Sequence, residues 1–245
     1  MNDVCLGKCN IVRTAYRVKA GKLMELIKTG IEGLDETLRG GLPDKSVILV
    51  MGEPGSGYDI FAQQVLHQHA LKKGKVAYIT TFRSPNTIRE DLEAFGWKIS
   101  ALEKTGRWAF IDVHKPKALQ VFQRRVPSKI RGGCWTLIDS LSYLILTQKK
   151  FQSVLEAVEL LLNNARKHGG IHFLLLTQNM HDQQTEIAMQ HLVDGVMEFT
   201  AREATGGIDR RIRIKKMRRA IYGSRLIPFN VTNHGITIET AIRVT

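Results

Sequence analysis

Residues 46–74 read SVILVMGEPGSGYDIFAQQVLHQHALKKG, and three kinds of local structure follow one another in this stretch. SVILVMG is an apolar run of strand length with no polar alternation, the pattern of a parallel strand buried on both faces. DIFAQQVLHQHALKKG then predicts a helix, with Phe61, Val65 and Ala70 on one face and Gly74 past its end. Between them lie Gly52, Glu53, Pro54, Gly55, Ser56 and Gly57. Strand, glycine loop and helix in this order form an anion cradle, because glycines let backbone N–H groups approach an anion and the helix N-terminus favours negative charge.

A phosphate loop of this kind is completed by Gly-Lys-Ser/Thr, where the Lys reaches the terminal phosphates and the hydroxyl holds magnesium. Here Tyr58 and Asp59 stand at those two places. Losing a charged hydrogen bond costs roughly 1.5–3 kcal/mol. An ionised Asp about 4 Å from a phosphate adds about 4 kcal/mol of repulsion at an effective dielectric near 20. Together they lower affinity some thousands-fold. Two readings stand. In one, the loop keeps the shape of a phosphate cradle and a carboxylate, Asp59 or Glu53, takes the anion's place. In the other, the glycines only make a tight turn and Asp59 stabilises the first helical turn through its dipole.

The same alternation continues along the chain. KVAYITTF (75–82) predicts a second strand, and Ser84, Pro85 and Gly96 predict the N-cap, first turn and stop of a helix. WAFIDV and CWTLIDSLSYLIL supply further strand cores. FQSVLEAVELLLNNARKHGG is the clearest helix, with Leu155, Val158, Leu161, Leu162 and Ala165 on one side. IHFLLLTQ (171–178) predicts a central parallel strand and HDQQTEIAMQ a polar loop. GVMEFTA, RRIRIKKM, IPFNVT and GITIET then follow as strands, with Asn233, His234 and Gly235 in a tight turn, which predicts an antiparallel extension. The expectation is a three-layer α/β domain over residues 25–245, preceded by a basic extension over residues 1–24.

Composition narrows the partners. The chain has 245 residues, 43% of them hydrophobic, and a formal net charge of +13. No apolar run reaches the roughly 18 residues of a membrane span, so a soluble cytoplasmic protein with no membrane partner is expected. Cys5, Cys9 and Cys134 are too few for a disulfide framework, and no further ligand completes a metal site around Cys5 and Cys9. Seven of the ten residues from Arg210 to Arg219 are basic. In RRIRI, Arg211 and Arg213 share one strand face while Ile212 and Ile214 take the other. With few aromatics nearby, binding of single-stranded DNA along this strip is expected to be electrostatic. A solvated cationic face is the alternative.

The stretch TGIEGLDETLRGGLPDKSVILVMGEPGSG (29–57) resembles the start of KaiC-like members of the RecA superfamily, with their Gly-Leu-Asp segment, Gly-Gly-x-Pro turn and Walker A loop. The resemblance extends over roughly residues 25–240. LIDSLS (137–142) is similar to the Walker B strand and puts Asp139 at the magnesium position. LLLTQN (174–179) is similar to the sensor strand and marks Gln178, and HLVDGVMEF to the strand that follows. The resemblance implies a RecA-like P-loop NTPase fold, with a mostly parallel sheet and antiparallel C-terminal strands. In that family the strand after the first helix ends in two acids ahead of Ser/Thr-Pro, one of which activates water. Ser84-Pro85 aligns Phe82 and Arg83 with them, and neither is a base.

Lys216-Met217-Arg218 resembles the family's Lys-x-Arg, which in KaiC-like rings reaches the neighbouring subunit's nucleotide. Lys215 and Arg219 flank it in the same basic run. The resemblance therefore implies an ATPase-inactive scaffold or regulator that assembles with itself or with RecA/KaiC-like relatives, with single-stranded DNA in recombination or repair as a candidate partner. No catalytic residue and no resident cofactor are expected. One alternative is weak Mg-ATP binding through Gly55, Gly57 and Asp139, completed by a neighbour's Lys216 and Arg218. Another is a structural interaction protein in signalling.

Overall fold

In the computed structural model, the structure describes residues 25–113, 118–223 and 225–239. The basic extension over residues 1–24, with Cys5 and Cys9, lies outside them. The apolar run opens the sheet as β3 (Ser46–Gly52), after the small antiparallel pair β1 (Leu26–Ile27) and β2 (Leu42–Pro43). A four-residue helix, α1 (Leu34–Thr37), lies between that pair. Gly41 sits where β2 meets β1 at φ +123°, and a Cβ there would run into the Ile27 carbonyl, so only glycine fits this crossing.

Every residue of β3 is buried, as a central parallel strand requires. Its neighbours are β7 (Ile171–Thr177) and β8 (Gly195–Ala204), both parallel to it. Beyond β7 the sheet continues through β6 (Cys134–Asp139), β4 (Lys75–Thr80) and β5 (Trp108–Asp112), all parallel. Beyond β8 it continues antiparallel through β9 (Gly207–Met217), β10 (Ile227–Thr232) and β11 (Gly235–Ile238). The result is a nine-stranded sheet ordered β11-β10-β9-β8-β3-β7-β6-β4-β5. The Asn233–His234 turn joins β10 to β11 as expected.

Strand alternation divides the core into two layers. Ile48, Val50, Phe173 and Leu175 face α2 (Tyr58–Leu71), α3 (Pro85–Ala94) and α4 (Ile99–Lys104). Val47, Leu49, Met51, Leu174 and Leu176 face α5 (Ala118–Arg131), α6 (Leu141–Thr147) and α7 (Phe151–His168). Phe61, Val65 and Ala70 are buried on α2, and Ser84 caps α3 by accepting from the Thr87 N–H.

Three local expectations are corrected. CWTLIDSLSYLIL is not strand throughout: β6 stops at Asp139, and Ser140 caps α6 by accepting from the Tyr143 N–H at 3.1 Å. A short apolar run fits a buried strand or a buried helix equally well, and the cap decides. HDQQTEIAMQ is not a loop but enters α8 (Gln183–Leu192), where Asp182 accepts from the Thr185 N–H and hydroxyl at 2.9 and 2.8 Å. Few of its side chains are buried, so its periodicity is faint. On α7, Val154 and Ala157 join the buried face while Leu155 is only half-buried, which turns the apolar stripe by a fraction of a turn.

Candidate site at the glycine loop

The loop from Gly52 to Gly57 leaves β3 at the C-terminal edge of the parallel strands, where open α/β sheets bind ligands. Gly55 and Gly57 both adopt positive φ, +83° and +87°. Gly57 is also the N-cap of α2 and packs beneath Phe229 and Val231 of β10, so the antiparallel extension braces the loop. Glu53, Pro54 and Gly55 are exposed, and Ser56 is buried with its hydroxyl unpartnered. The Glu53 carboxylate accepts from the Asn179 amide at 3.2 Å, across the mouth of the loop.

Tyr58 and Asp59 form the first turn of α2. The Tyr58 hydroxyl shares a hydrogen bond of 3.1 Å with the Thr177 hydroxyl at the end of β7. Burial raises its pKa, against the bond from Thr177. Asp59 is also raised by burial, opposed first by the Ile60 N–H and reinforced by the negative charge of Asp139. Of the two carboxylates near the loop, Asp59 is therefore the one facing helix N–H groups, while Glu53 lies at the surface.

Asp139 ends β6, and its Oδ2 accepts from the Tyr78 hydroxyl at 2.6 Å and from Arg83 Nη2 at 3.0 Å. The Gln63 amide donates to the Tyr78 oxygen at 2.9 Å, which continues the chain of bonds into α2. Arg83 Nη1 donates to Asp91 on α3 at 2.7 Å. The strand ends are laced together as well: the Thr81 hydroxyl donates to the Ser140 carbonyl and accepts from the Ser140 N–H, both at 2.9 Å. Tyr78, fully buried, has its pKa raised by burial first and then by the adjacent Asp139 charge.

Phe82 and Arg83 part company. Phe82 is 64% exposed and packs against Tyr143 with ring centroids 4.9 Å apart. Gln178 lies at the end of β7, where its amide contacts the buried Glu198 at 3.3 Å. Glu198 also receives Lys215 at 3.5 Å and Arg213 at 3.9 Å.

Arg211, Arg213 and Lys215 are exposed on one face of β9, and Ile212 and Ile214 are buried on the other, as the alternation predicts. Arg211 reaches Asp209 at 2.9 Å. Lys216, Arg218 and Arg219 are engaged within the chain. Lys216 donates to the carbonyls of Gln190 and His191 at 2.9 and 2.7 Å, closing the C-terminus of α8. Arg218 donates to the His191 carbonyl at 3.3 Å, and Arg219 to the Lys45 carbonyl at 2.7 Å.

Tyr78, Gln63, Asp91, Thr177 and Glu198 were not singled out in the sequence. A signal existed for Tyr78 alone: a tyrosine inside a buried strand brings a hydroxyl that needs a partner. Among the described residues no group of three or more His, Cys, Asp or Glu side chains is placed to hold a metal ion. Nor is any helix among them long and apolar enough to cross a membrane.

Known proteins agree with this architecture. The KaiC-like protein of Pyrococcus horikoshii superposes with a TM-score of 0.77 at 23% identity, covering 89% of this chain and all of that one. The chain is 27% identical to a UPF0273 protein of Thermotoga maritima, over 88% of this chain and 96% of that protein. It is 28% identical to a UPF0273 protein of Methanocaldococcus jannaschii, with coverage of 88% and 96%. The family described as "ATPase: KaiC" matches residues 27–242, from β1 past the end of β11, and with that span of loop, sheet and extension the chain belongs to the KaiC family.

Proposed function

We propose that this domain works without turning over ATP, as a KaiC-type scaffold or regulator that assembles with copies of itself or with relatives. The observation that carries this reading is the bond between Arg83 and Asp139. Where the resemblance puts a magnesium ligand, the carboxylate already holds a guanidinium and a tyrosine hydroxyl. A divalent cation placed about 4 Å from that guanidinium meets roughly 8 kcal/mol of repulsion at an effective dielectric near 20. Tyr58, bonded to Thr177, supplies no cation for a terminal phosphate, and Asp59 supplies a carboxyl in place of a hydroxyl. These side chains do not fit magnesium nucleotide chemistry.

Calorimetric titration with Mg-ATP to millimolar concentration tests the reading, alongside phosphate-release assays. The expected result is no saturable heat and no turnover in the natural sequence, with binding restored by the double substitution Tyr58→Lys, Asp59→Thr. Micromolar binding or turnover by the natural sequence would sink it.

A specific observation favours single-stranded nucleic acid as a partner: Arg211, Arg213 and Lys215 share an exposed face. Lys216 is spent on the Gln190 and His191 carbonyls, which weighs against a neighbour-completed ATP switch that needs its ammonium.

A further inference from the structure

At the opposite edge of the sheet from the glycine loop, α7 and α8 border an open crevice of about 310 Å³ that also reaches Arg218, just past the end of β9. Its floor is apolar, from Leu162 and Leu192, and its walls carry Glu159, Arg166, His191 and Arg218. We propose that this crevice binds a small polyvalent anion, a phosphorylated compound held between Arg166 and Arg218.

The charge arrangement carries the proposal. The Asp194 side chain is 3% exposed, and its Oδ2 accepts from the Val47 N–H at 3.2 Å. Its Oδ1 faces two guanidinium groups, Arg166 Nη2 at 3.7 Å and Arg218 Nη1 at 3.9 Å. Both separations exceed hydrogen-bond length, so neither arginine is saturated by this carboxylate, and Arg218 gives one further N–H, from Nη2, to the His191 carbonyl at 3.3 Å. Lys216 stands nearby, its pKa lowered by burial and then by the positive charge of Arg218. Two guanidinium groups thus share one buried carboxylate, and the surplus charge faces a cavity of the size that small ligands occupy. Planar guanidinium groups suit phosphate oxygens.

Glu159 sets a further condition. It lies seven residues before Arg166 on α7, about 10 Å along the helix. A second anionic end is repelled there, so the preferred ligand carries its phosphate at the arginines and a neutral or cationic end toward Glu159. The site is separate from the glycine loop of the same chain. Asp194 is hydrogen-bonded to Val47 at the start of β3, whereas the loop follows Gly52, roughly 16 Å further along the strand. The proposal holds whether or not the loop takes nucleotide.

The test uses the full chain, free of nucleotide and magnesium, titrated with pyrophosphate by calorimetry while sedimentation records its assembly state. Saturable binding is expected, weakened at least tenfold by Arg166→Gln and strengthened two-fold or more by Glu159→Gln. Arg166 is half-exposed and makes no hydrogen bond, but its charge faces the buried Asp194, so the unliganded Arg166→Gln protein should melt somewhat below the natural sequence, and binding is compared at a temperature where both are folded. The opposite response of Glu159→Gln keeps the test decisive if Arg166→Gln does not fold. Absence of saturation, or binding unchanged by both substitutions, overturns the proposal. Binding seen only when copies assemble also overturns it, because the phosphate would then sit between chains.

Discussion

The Arg83 guanidinium donates to Asp139 at 3.0 Å and to Asp91 at 2.7 Å, so a single side chain ties the ends of β4 and β6 to α3. Asp139 is the more buried partner, with 14% of its side chain exposed against 31% for Arg83. Removing the cation therefore strands a carboxylate that has little water to fall back on.

Arg83→Ala should lower unfolding free energy by about 1–2 kcal/mol, a charged hydrogen bond discounted for partial exposure. Adding Asp139→Asn should recover part of that loss, because the stranded charge is gone. Urea denaturation of the two single variants and the double variant checks this. Coupling within about 0.3 kcal/mol of zero would make the contact an ordinary surface pair.

Tyr78→Phe removes a hydroxyl that both donates to Asp139 and accepts from Gln63. The Gln63 amide is buried and loses its partner, so a cost of about 1–3 kcal/mol is expected. Tyr78→Phe combined with Gln63→Leu should cost less than the sum of the two single changes, measured by the same denaturation series.

How far the chain could be read follows from the physics of each element. SVILVMG and IHFLLLT were legible as central strands because burial on both faces leaves no polar alternation in them, only Ser46, His172 and Thr177 interrupting the apolar runs. The loop was legible because glycines and a following helix combine in few other ways. α8 was not, since its start depends on one Asp182 cap and only Glu186 and Met189 are buried. In α5, Phe122, Val126 and Ile130 recur every four residues, but Pro127 inside the helix masks the pattern. At the site, Asp139 and Arg83 could be named from the sequence, but not their contact. That contact spans 56 residues and depends on β4 and β6 lying side by side in register, Thr80 opposite Asp139.

Acid should destabilise the fold through buried imidazoles. Burial lowers the pKa of His67, His69 and His172 from 6.5 to about 4. Above pH 6.5 neither state takes a proton, so these groups contribute no pH dependence. As pH falls from 6.5 towards 4 the unfolded chain binds protons that the folded chain refuses, and stability drops. For the fully buried His172, held by Thr136 and the Gly169 carbonyl, the full effect is about 3 kcal/mol. Urea midpoints at pH 7.5 and 5 should differ, and His172→Gln should shrink the difference even while lowering both.

Asp59 acts with the opposite pH sense. Its folded pKa is raised, so ionisation above the unfolded value of 3.8 is resisted by the fold and stability falls as pH rises. Asp59→Asn removes that penalty while keeping a side chain able to accept from the first-turn N–H groups. A higher melting temperature at pH 7 is expected, with the advantage vanishing towards pH 4. Destabilisation at pH 7 would mean that the ionised carboxylate is needed against Arg83 or the helix dipole.

The proposed nucleic-acid surface is tested by salt. Each cation that neutralises a phosphate on a single strand contributes about 0.7 to the slope of log K against log salt concentration. Arg211→Gln and Arg213→Gln should each reduce the slope for a thymidine oligonucleotide by that amount, because both side chains are exposed on β9. Lys216→Gln should leave it unchanged, since its ammonium is committed to the Gln190 and His191 carbonyls at the end of α8. The contrast matters more than the affinity. Net charge falls equally in all three variants, so a slope that responds equally would signal a diffuse cationic attraction. A slope that responds only to the β9 arginines would identify the strip, because phosphates release their counterions on meeting guanidinium groups that stay exposed beside their Asp209 and Glu198 partners.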